Sequence, residues 1–463
     1  MEKPKFKVII VGGSIAGLTL AHCLHRANID HVVLEKRSEI ASQEGAIVAI
    51  WPTGARVFEQ LGLYDDIEKQ STPFRSLRIR HPDGFSFSTS FLEFVNKGSG
   101  YPVICLDRRK LLEVLHQKYP SKANIHVKKK VIEVQHLDHG ARVLTEDGDV
   151  YTGDLIVGAD GVHSFTRSEM WRLADAMSPG LITTQERKSM TVGYACAFGV
   201  SSPIPDLASG ENINSYNDGS CVITFEGKDG RVFWFILEKL HQTFVYPDSP
   251  RFSMDDTADL CGRLSKLPVW GDIRVEDLWR SRIFASTTAL EEGIFQTWHF
   301  GRIVLLGDSV HIMTPNMGQG ANTAIQDAAV LASMINRLVK SDTTSNAGIN
   351  SLLQEYQTSR YDRAKTICQL SYLWTRIHTR DSFLKILVGR YIYPRIADYI
   401  VFKTSGAFDF GHAIDFLPLP ERSKTRPIQY SSSNRPRAAQ LQWVLICVFP
   451  LVLGLFYLLF RRP

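Results

Sequence analysis

Residues 301–327 read GRIVLLGDSVHIMTPNMGQGANTAIQD. An apolar run ends at Gly307-Asp308. A loop containing Pro315 leads to Gly318-Gln319-Gly320, and a small-residue helix comes after it. A strand that stops at an acid, a glycine turn and a helix N-terminus together make a device for holding a polar, phosphate-bearing group. The reason is that the first N–H groups of a helix lack internal partners and carry the positive end of its dipole. On this reading Asp308 accepts hydrogen bonds from a polyhydroxyl chain and Pro315 stiffens the loop. Gly318, Gly320 and the residues up to Asn322 present backbone donors.

A matching signature opens the chain. Lys7 to Val11 is an apolar strand, Gly12-Gly13-Ser14-Ile15-Ala16-Gly17 is a turn, and Leu18, Leu20, Ala21 and Leu24 share a helical face. His31 to Leu34 reads as the second strand, closed by Glu35. Gly12 permits the tight turn and Gly17 permits close helix–strand packing. Ser14 stands where this pattern usually carries a middle glycine; it is small enough for a pyrophosphate to approach the backbone, and its hydroxyl can donate. Glu35 is placed for the hydroxyls of an adenosine ribose. Residues 155–167, LIVGADGVHSFTR, supply a third piece. A buried strand there runs into Asp160-Gly161, which cap the next segment beside the pyrophosphate and a nicotinamide approach path. The three segments together specify FAD. Residues 12–17 and Glu35 hold the adenosine half, and Asp308 to Ala321 hold the ribityl and ring half. His163 and His311, inside these motifs, read as loop-packing residues.

The rest of the chain sets the frame. It has 463 residues, 44% hydrophobic and 22% charged, with a formal charge of +5, ordinary values for a globular enzyme. Lys128-Lys129-Lys130 is flanked by alternating apolar and polar residues, so it reads as a solvated strand edge and not as a nucleic-acid site. Seven scattered cysteines form no paired spacing and suit a reducing compartment with structural thiols. Asp107 is an N-cap for the helix RRKLLEVL. Residues 126–158 read as a β-meander. Residues 190–300 alternate apolar and polar with many aromatics, as an antiparallel sheet forming one wall of a substrate cavity does.

The expected fold is therefore α/β. Residues 1–185 form the first part of a Rossmann-like FAD-binding domain, 186–300 an inserted antiparallel β-sheet substrate domain, and 301–380 the second part with its helices. Residues 381–440 make a C-terminal extension and polar tether. Residues 441–460, LQWVLICVFPLVLGLFYLLF, carry no charge. At about 1.5 Å per residue they span roughly 30 Å, enough for a single transmembrane helix.

GGSIAGL with Glu35, LDRRKLLEVL, GADGVHS and GDSVHIMTPNMGQGAN, in that order, resemble the FAD-dependent monooxygenases of the aromatic-hydroxylase type, the single-component class. The resemblance covers about residues 6–380. It implies that NADPH acts as a transient reductant and that one oxygen atom of O2 enters the substrate. It implies Arg108 as a flavin contact, with Arg109 as the fallback, and backbone contacts near Ala49 and at Ala321. It also implies a functional tyrosine in the sheet domain, with Tyr216 preferred, at the start of a strand, over Tyr194. The tail is similar to that of fungal membrane-anchored epoxidases of meroterpenoid and indole-diterpene pathways. This implies a hydrophobic, prenylated substrate, a membrane terpene cyclase as neighbour, and an endoplasmic-reticulum anchor with a cytosolic catalytic body. It implies neither a metal nor a nucleic-acid partner. Ring hydroxylation of a phenol is the main alternative activity. A non-catalytic, membrane-anchored flavoprotein scaffold is the alternative from another class.

Overall fold

The computed structural model describes residues 5–41, 47–89, 91–207, 209–397 and 411–424. These residues belong to one contact unit. The chain beyond 424, with most of the expected tether and the apolar run 441–460, lies outside the described residues. Among the described residues, no helix is long and apolar enough to cross a membrane.

A six-stranded sheet forms the nucleotide-binding layer. Its order is His299–Phe300, Ile303–Leu305, Leu155–Gly158, Lys7–Val11, Asp30–Leu34 and Ile125–His126. All pairs are parallel except the first. Parallel strands covered on both faces read as continuous apolar runs. Leu155–Gly158 is accordingly buried at every position, and Lys7–Val11 at all but its first. Three chain segments far apart in sequence thus end their strands side by side, at Val11, Gly158 and Leu305. The glycine turn, Asp160 and Asp308 come directly after these three strand ends, at the carboxyl edge where parallel sheets bind ligands.

The helix Ile15–Arg26 packs against the helix Gly320–Lys340, which is buried along most of its length. Outside this layer lies the long helix Asn346–His378, whose capping Ser345 accepts from the Gly348 amide. The residues 126–158 meander divides in two. Val131–Leu137, Gly140–Thr145 and Val150–Gly153 form a separate three-stranded sheet, and Leu155–Gly158 joins the parallel layer. Asp107 caps Arg108–Gln117 by accepting from the Arg109 amide at 2.9 Å.

The second large sheet has eight strands, in the order His311–Ile312, Arg282–Ile294, Thr191–Ser201, Val232–Val245, Ser220–Glu226, Glu211–Asn217, Ser76–Arg80 and Ser86–Thr89. Its centre is the antiparallel set that the alternation in 190–300 predicts. It also takes strands from earlier and later in the chain, and Glu211–Asn217 pairs with Ser76–Arg80 in parallel. Tyr216 is not at the start of a strand. It is the penultimate residue of Glu211–Asn217, because Asp218-Gly219, with Gly219 at φ +74°, closes a two-residue hairpin into Ser220–Glu226. The six described cysteines are all free and buried.

Candidate functional site: a cleft between two helix N-termini

The helices Ile15–Arg26 and Gly320–Lys340 begin without side-chain caps. Ser14 and Gln319 make no capping bond, and neither first turn contains an acid. Both open ends line one cavity of about 550 Å³. Two uncapped helix ends carry orphan N–H donors and two positive dipole ends, so the cavity suits an anion of the pyrophosphate type.

The first turn has to be glycine. Gly12 sits at φ +111°, and a Cβ there would lie 2.3 Å from the Ala159 carbonyl oxygen. A Cβ at Gly17 would lie 1.9 Å from the Gly12 carbonyl oxygen. Glycine at both positions lets the turn pack directly against neighbouring backbone. Gly13 donates its N–H to Glu35 Oε2 at 2.8 Å, and Arg37 donates its N–H to Glu35 Oε1 at 2.9 Å. The Glu35 carboxylate is thereby aimed into the cavity with lone-pair capacity left for hydroxyl donors. Lys36, Arg37, Lys129 and Lys130 rim the same end. The basic run thus borders the cleft, and Lys130 also pairs with Glu146 at 2.7 Å.

Arg108 reaches across to Ser14, donating from Nη2 to Oγ at 2.7 Å. The Ser14 hydroxyl therefore accepts from Arg108, and both residues line the cavity. Ser164 caps the helix that begins at Phe165, and Asp160 supports the same turn: its carboxylate accepts from the Thr166 amide at 2.9 Å, the Thr166 hydroxyl at 3.0 Å and the Ser309 hydroxyl at 3.3 Å. Its engagement with Ser309 links the second and third strand ends. Buried Arg167 strengthens that link, donating to the carbonyls of Ser309 at 2.8 Å and Val162 at 2.9 Å.

Asp308 lines the cavity together with Gly320 and Ala321. Asp308 opens onto the cavity, and desolvation by the surrounding protein raises its carboxyl above the ordinary aspartate value, opposed by His311 and Arg108. Pro315 and Gly318 stand behind the cavity wall. Pro315 begins a short turn, and its carbonyl accepts from the Gly318 amide at 2.8 Å, with Gly318 left-handed at φ +60°. Asn322, whose side chain the sequence does not single out, ties this loop to the strand Ile47–Ile50. Its amide donates to the carbonyls of Ala49 and Gly318, each at 2.8 Å, and its oxygen accepts from the Trp51 amide at 2.9 Å. Ala49 thus braces the ring-side loop through its carbonyl.

The unforeseen centre is Asp327. It is fully buried, accepting from the Gly307 amide at 3.0 Å, His311 Nε2 at 2.6 Å and Arg360 Nε at 2.7 Å. Burial alone would raise its carboxyl; His311 and Arg360 outweigh that and hold it down at about 2. His311 is therefore more than loop packing. It pins the segment after Asp308 to the helix behind it. Asp327 closes the stretch quoted first, but a helical Arg in the position of Arg360 normally reads as solvated, and nothing nearby in sequence marks it as a partner.

Tyr216 and Tyr194 lie elsewhere. Both are buried in an apolar cluster with Ile79, Cys196, Cys221, Ile223, Leu237 and Tyr393. Burial raises the phenol of Tyr194 to about 12 and that of Tyr216 well above its ordinary range. The Tyr216 ring stacks on His378, with centroids 4.6 Å apart, and meets His81 edge-on at 5.2 Å.

A cleft with a glycine turn, a cavity-lining glutamate and two open helix ends suits a dinucleotide cofactor. FAD fits it: the two uncapped helix ends suit its pyrophosphate, and Glu35, Arg108 and Asp308 line the cavity as the donor and acceptor set. A family model described as FAD binding domain matches residues 5–177 and 259–371. The chain is 66% identical to the FAD-dependent monooxygenase penE of Penicillium thymicola, covering 100% of this chain and 98% of that protein. It is 52% identical to the FAD-dependent monooxygenase ausM of Emericella nidulans, covering 99% and 97%. In fold it is similar to Klebsiella pneumoniae HpxO complexed with FAD and uric acid, with a TM-score of 0.72 at 24% identity over 88% of this chain and 97% of that one. The chain belongs to the FAD-binding domain family, and it is an FAD-dependent monooxygenase.

Two outcomes test the cleft. Asp308→Ala should purify with little FAD, read as the ratio of flavin to protein absorbance; full yellow colour and normal turnover would remove Asp308 from the site. Arg360→Met should cost about 3–5 kcal/mol in chemical denaturation, because it leaves a buried carboxylate short of a partner. A carboxyl held below its unfolded value stabilises the fold above the ordinary carboxylate range, and that contribution fades as pH falls toward 2. Without Arg360, acid unfolding should begin at a higher pH.

Proposed function

We propose that this monooxygenase uses NADPH and O2 to epoxidise a prenyl double bond of a hydrophobic secondary metabolite of the meroterpenoid or indole-diterpene type. The observation that carries the choice of an alkene is the state of the Tyr216 wall. Ring hydroxylation of a phenol is helped by a base that takes the phenolic proton. Here burial lowers His81 to about 4 and His378 to about 3 and raises the Tyr216 phenol, so all three are neutral and poor bases at neutral pH. Electrophilic oxygen transfer to a C=C bond requires no proton removal, and apolar side chains suffice to hold a prenyl chain.

Bound FAD, once reduced, supplies the oxygen-activating chemistry. The chain's own residues do the rest. Glu35, Arg108 and the two helix ends hold the charged part of the cofactor, and Asp308 meets its polyhydroxyl portion. The Pro315–Gly318 loop, braced by Asn322, shapes the ring side. The Tyr216 cluster excludes water and offers its phenol as a neutral hydrogen-bond donor to orient substrate. Penicillium and Emericella relatives similar over nearly their whole length support a fungal biosynthetic setting. The uncharged run 441–460 supports an anchor in the endoplasmic-reticulum membrane, with the catalytic body on the cytosolic side near a terpene cyclase.

Incubation of the purified enzyme with NADPH, ¹⁸O₂ and a panel of prenylated phenols and indoles should give products with one labelled oxygen on the prenyl chain. Label on the ring would favour the hydroxylase reading, and substrate-independent O2 uptake without product would count against both. In membranes, enzyme lacking residues 440–463 should turn over a prenylated substrate more slowly than the full chain, because the anchor raises local concentration. Equal rates would remove the tail from the argument.

A further inference from the structure

The Tyr216 wall and the flavin-side loop do not touch through the cleft itself. They meet through the last turns of the helix Asn346–His378. On one side of these turns, Tyr372 donates its hydroxyl to the Ile312 carbonyl at 2.8 Å, and Thr375 donates to Asn316 Oδ1 at 2.8 Å. The Asn316 amide donates to His378 Nδ1 at 2.9 Å, which makes Nδ1 the acceptor and leaves the ring proton on Nε2. Asn316 is the middle residue of the turn that begins at Pro315 and ends at left-handed Gly318.

On the other side, the same helix end grips the hairpin that carries Tyr216. The His378 ring lies nearly parallel to the Tyr216 ring, at 23°. The Thr379 carbonyl accepts from the Gly219 amide at 2.8 Å, and Arg380 donates to Asp218 at 2.7 Å. His378 and Thr375 are buried, so the Asn316–His378 and Thr375–Asn316 bonds are largely shielded from solvent, whereas Arg380–Asp218 lies at the surface. Burial keeps His378 neutral, which suits an acceptor that must take one fixed hydrogen bond.

We propose that His378 is a positioning residue whose two faces couple the substrate wall to the flavin-side loop: Asn316 fixes its edge, and its plane fixes Tyr216. The inference rests on the reading of Tyr216 as substrate-facing. A prenyl chain that shifts the Tyr216 ring then shifts the Pro315–Gly318 loop, and the reverse holds by linkage. Rigid coupling of this kind sets the distance between the double bond and the oxygen donor, where about 1 Å of misplacement costs on the order of a hundredfold in rate.

The test is a double-mutant cycle on the full-length, FAD-loaded enzyme. His378→Phe keeps a ring against Tyr216 but loses the acceptor for Asn316, and Asn316→Ala removes the donor. Each should retain FAD, lower kcat about tenfold with KM changed less than about threefold, and reduce the product formed per O2 consumed. The double variant should be no worse than about twofold below the weaker single. Each single variant should also lose the substrate-induced change in the flavin absorption spectrum, which a merely structural role would leave in place in the folded fraction. His378→Gln, which restores an acceptor without the ring, runs the same cycle if the phenylalanine variant fails to fold. Additive losses, or unchanged product yield per O2 with an intact difference spectrum, would overturn the coupling. Tyr216→Phe, run alongside, separates the two claims. Unchanged substrate affinity and turnover there overturn the reading of the wall. Altered affinity with additive His378 and Asn316 effects overturns the bridge alone.

Discussion

The buried carboxylate of Asp327 is the constraint on which the cleft depends. One side chain receives the Gly307 amide, the His311 imidazole and the Arg360 guanidinium. These three belong to the turn after the third parallel strand, to the edge of the eight-stranded sheet and to the outer helix. A charge in such a place is tolerated only when its partners are complete, and this one has three. Removing any of them would release Gly307, and with it the position of Asp308 one residue on. The functional acid is thus held in place by a structural one that never faces the cavity.

The same economy appears at the helix ends. Asp107, Ser164, Ser253 and Ser345 each cap a helix by accepting from its first turn, whereas Pro52–Gln60, Tyr64–Lys69 and Phe383–Leu387 begin without a side-chain cap. The helices Ile15–Arg26 and Gly320–Lys340 lack such caps, and both open onto the cleft. A missing cap leaves donors unsatisfied, at a cost of about 1 kcal/mol per helix when no ligand is present. What is informative is that these two open ends share one cavity, where a ligand carrying negative charge meets both at once. Binding that ligand stabilises the native state by mass action, so cofactor loading and folding stability are linked.

Legibility in the sequence tracks the range of the interactions. The glycine turn, Glu35, the Asp107 cap and the strand ending at Leu305 are local patterns, read from residues within a few positions of one another. Eight of the residues read as cofactor-binding line the cavity: Gly12, Ser14, Glu35, Arg108, Asp160, Asp308, Gly320 and Ala321. Gly13, Gly17, Ala49, Pro315 and Gly318 support it from behind. The features hidden from the pattern are long-range. The strands Ser76–Arg80 and Ser86–Thr89 carry weak alternation, and their place depends on a parallel pairing with Glu211–Asn217 that no short window contains. Arg360 and Asn322 likewise acquire meaning only from partners far away in sequence. Local pattern misplaces Tyr216 within its strand because the Asp218-Gly219 hairpin sets the strand's end, while its start is set by distant neighbours.

The two regions that the helix end at Thr375–His378 joins differ in what lines them. The cofactor side carries Glu35, Arg108, Asp308 and two helix dipoles, with the lysine rim at the adenosine end. On the proposed reading the substrate side offers Tyr216, His81 and His378, each pushed by burial toward its neutral form. An anionic, phosphate-bearing cofactor and the proposed alkene substrate would place opposite demands on their surroundings. Charges on the substrate side would draw in water and favour loss of the activated oxygen before it reached an apolar target. A wall of neutral rings and aliphatic side chains removes that competition while leaving one phenol and two imidazoles to orient a polar end of the substrate. The helix end at Thr375–His378 lies where these two environments meet. There the amide–imidazole hydrogen bond between Asn316 and His378 is an uncharged contact between the two.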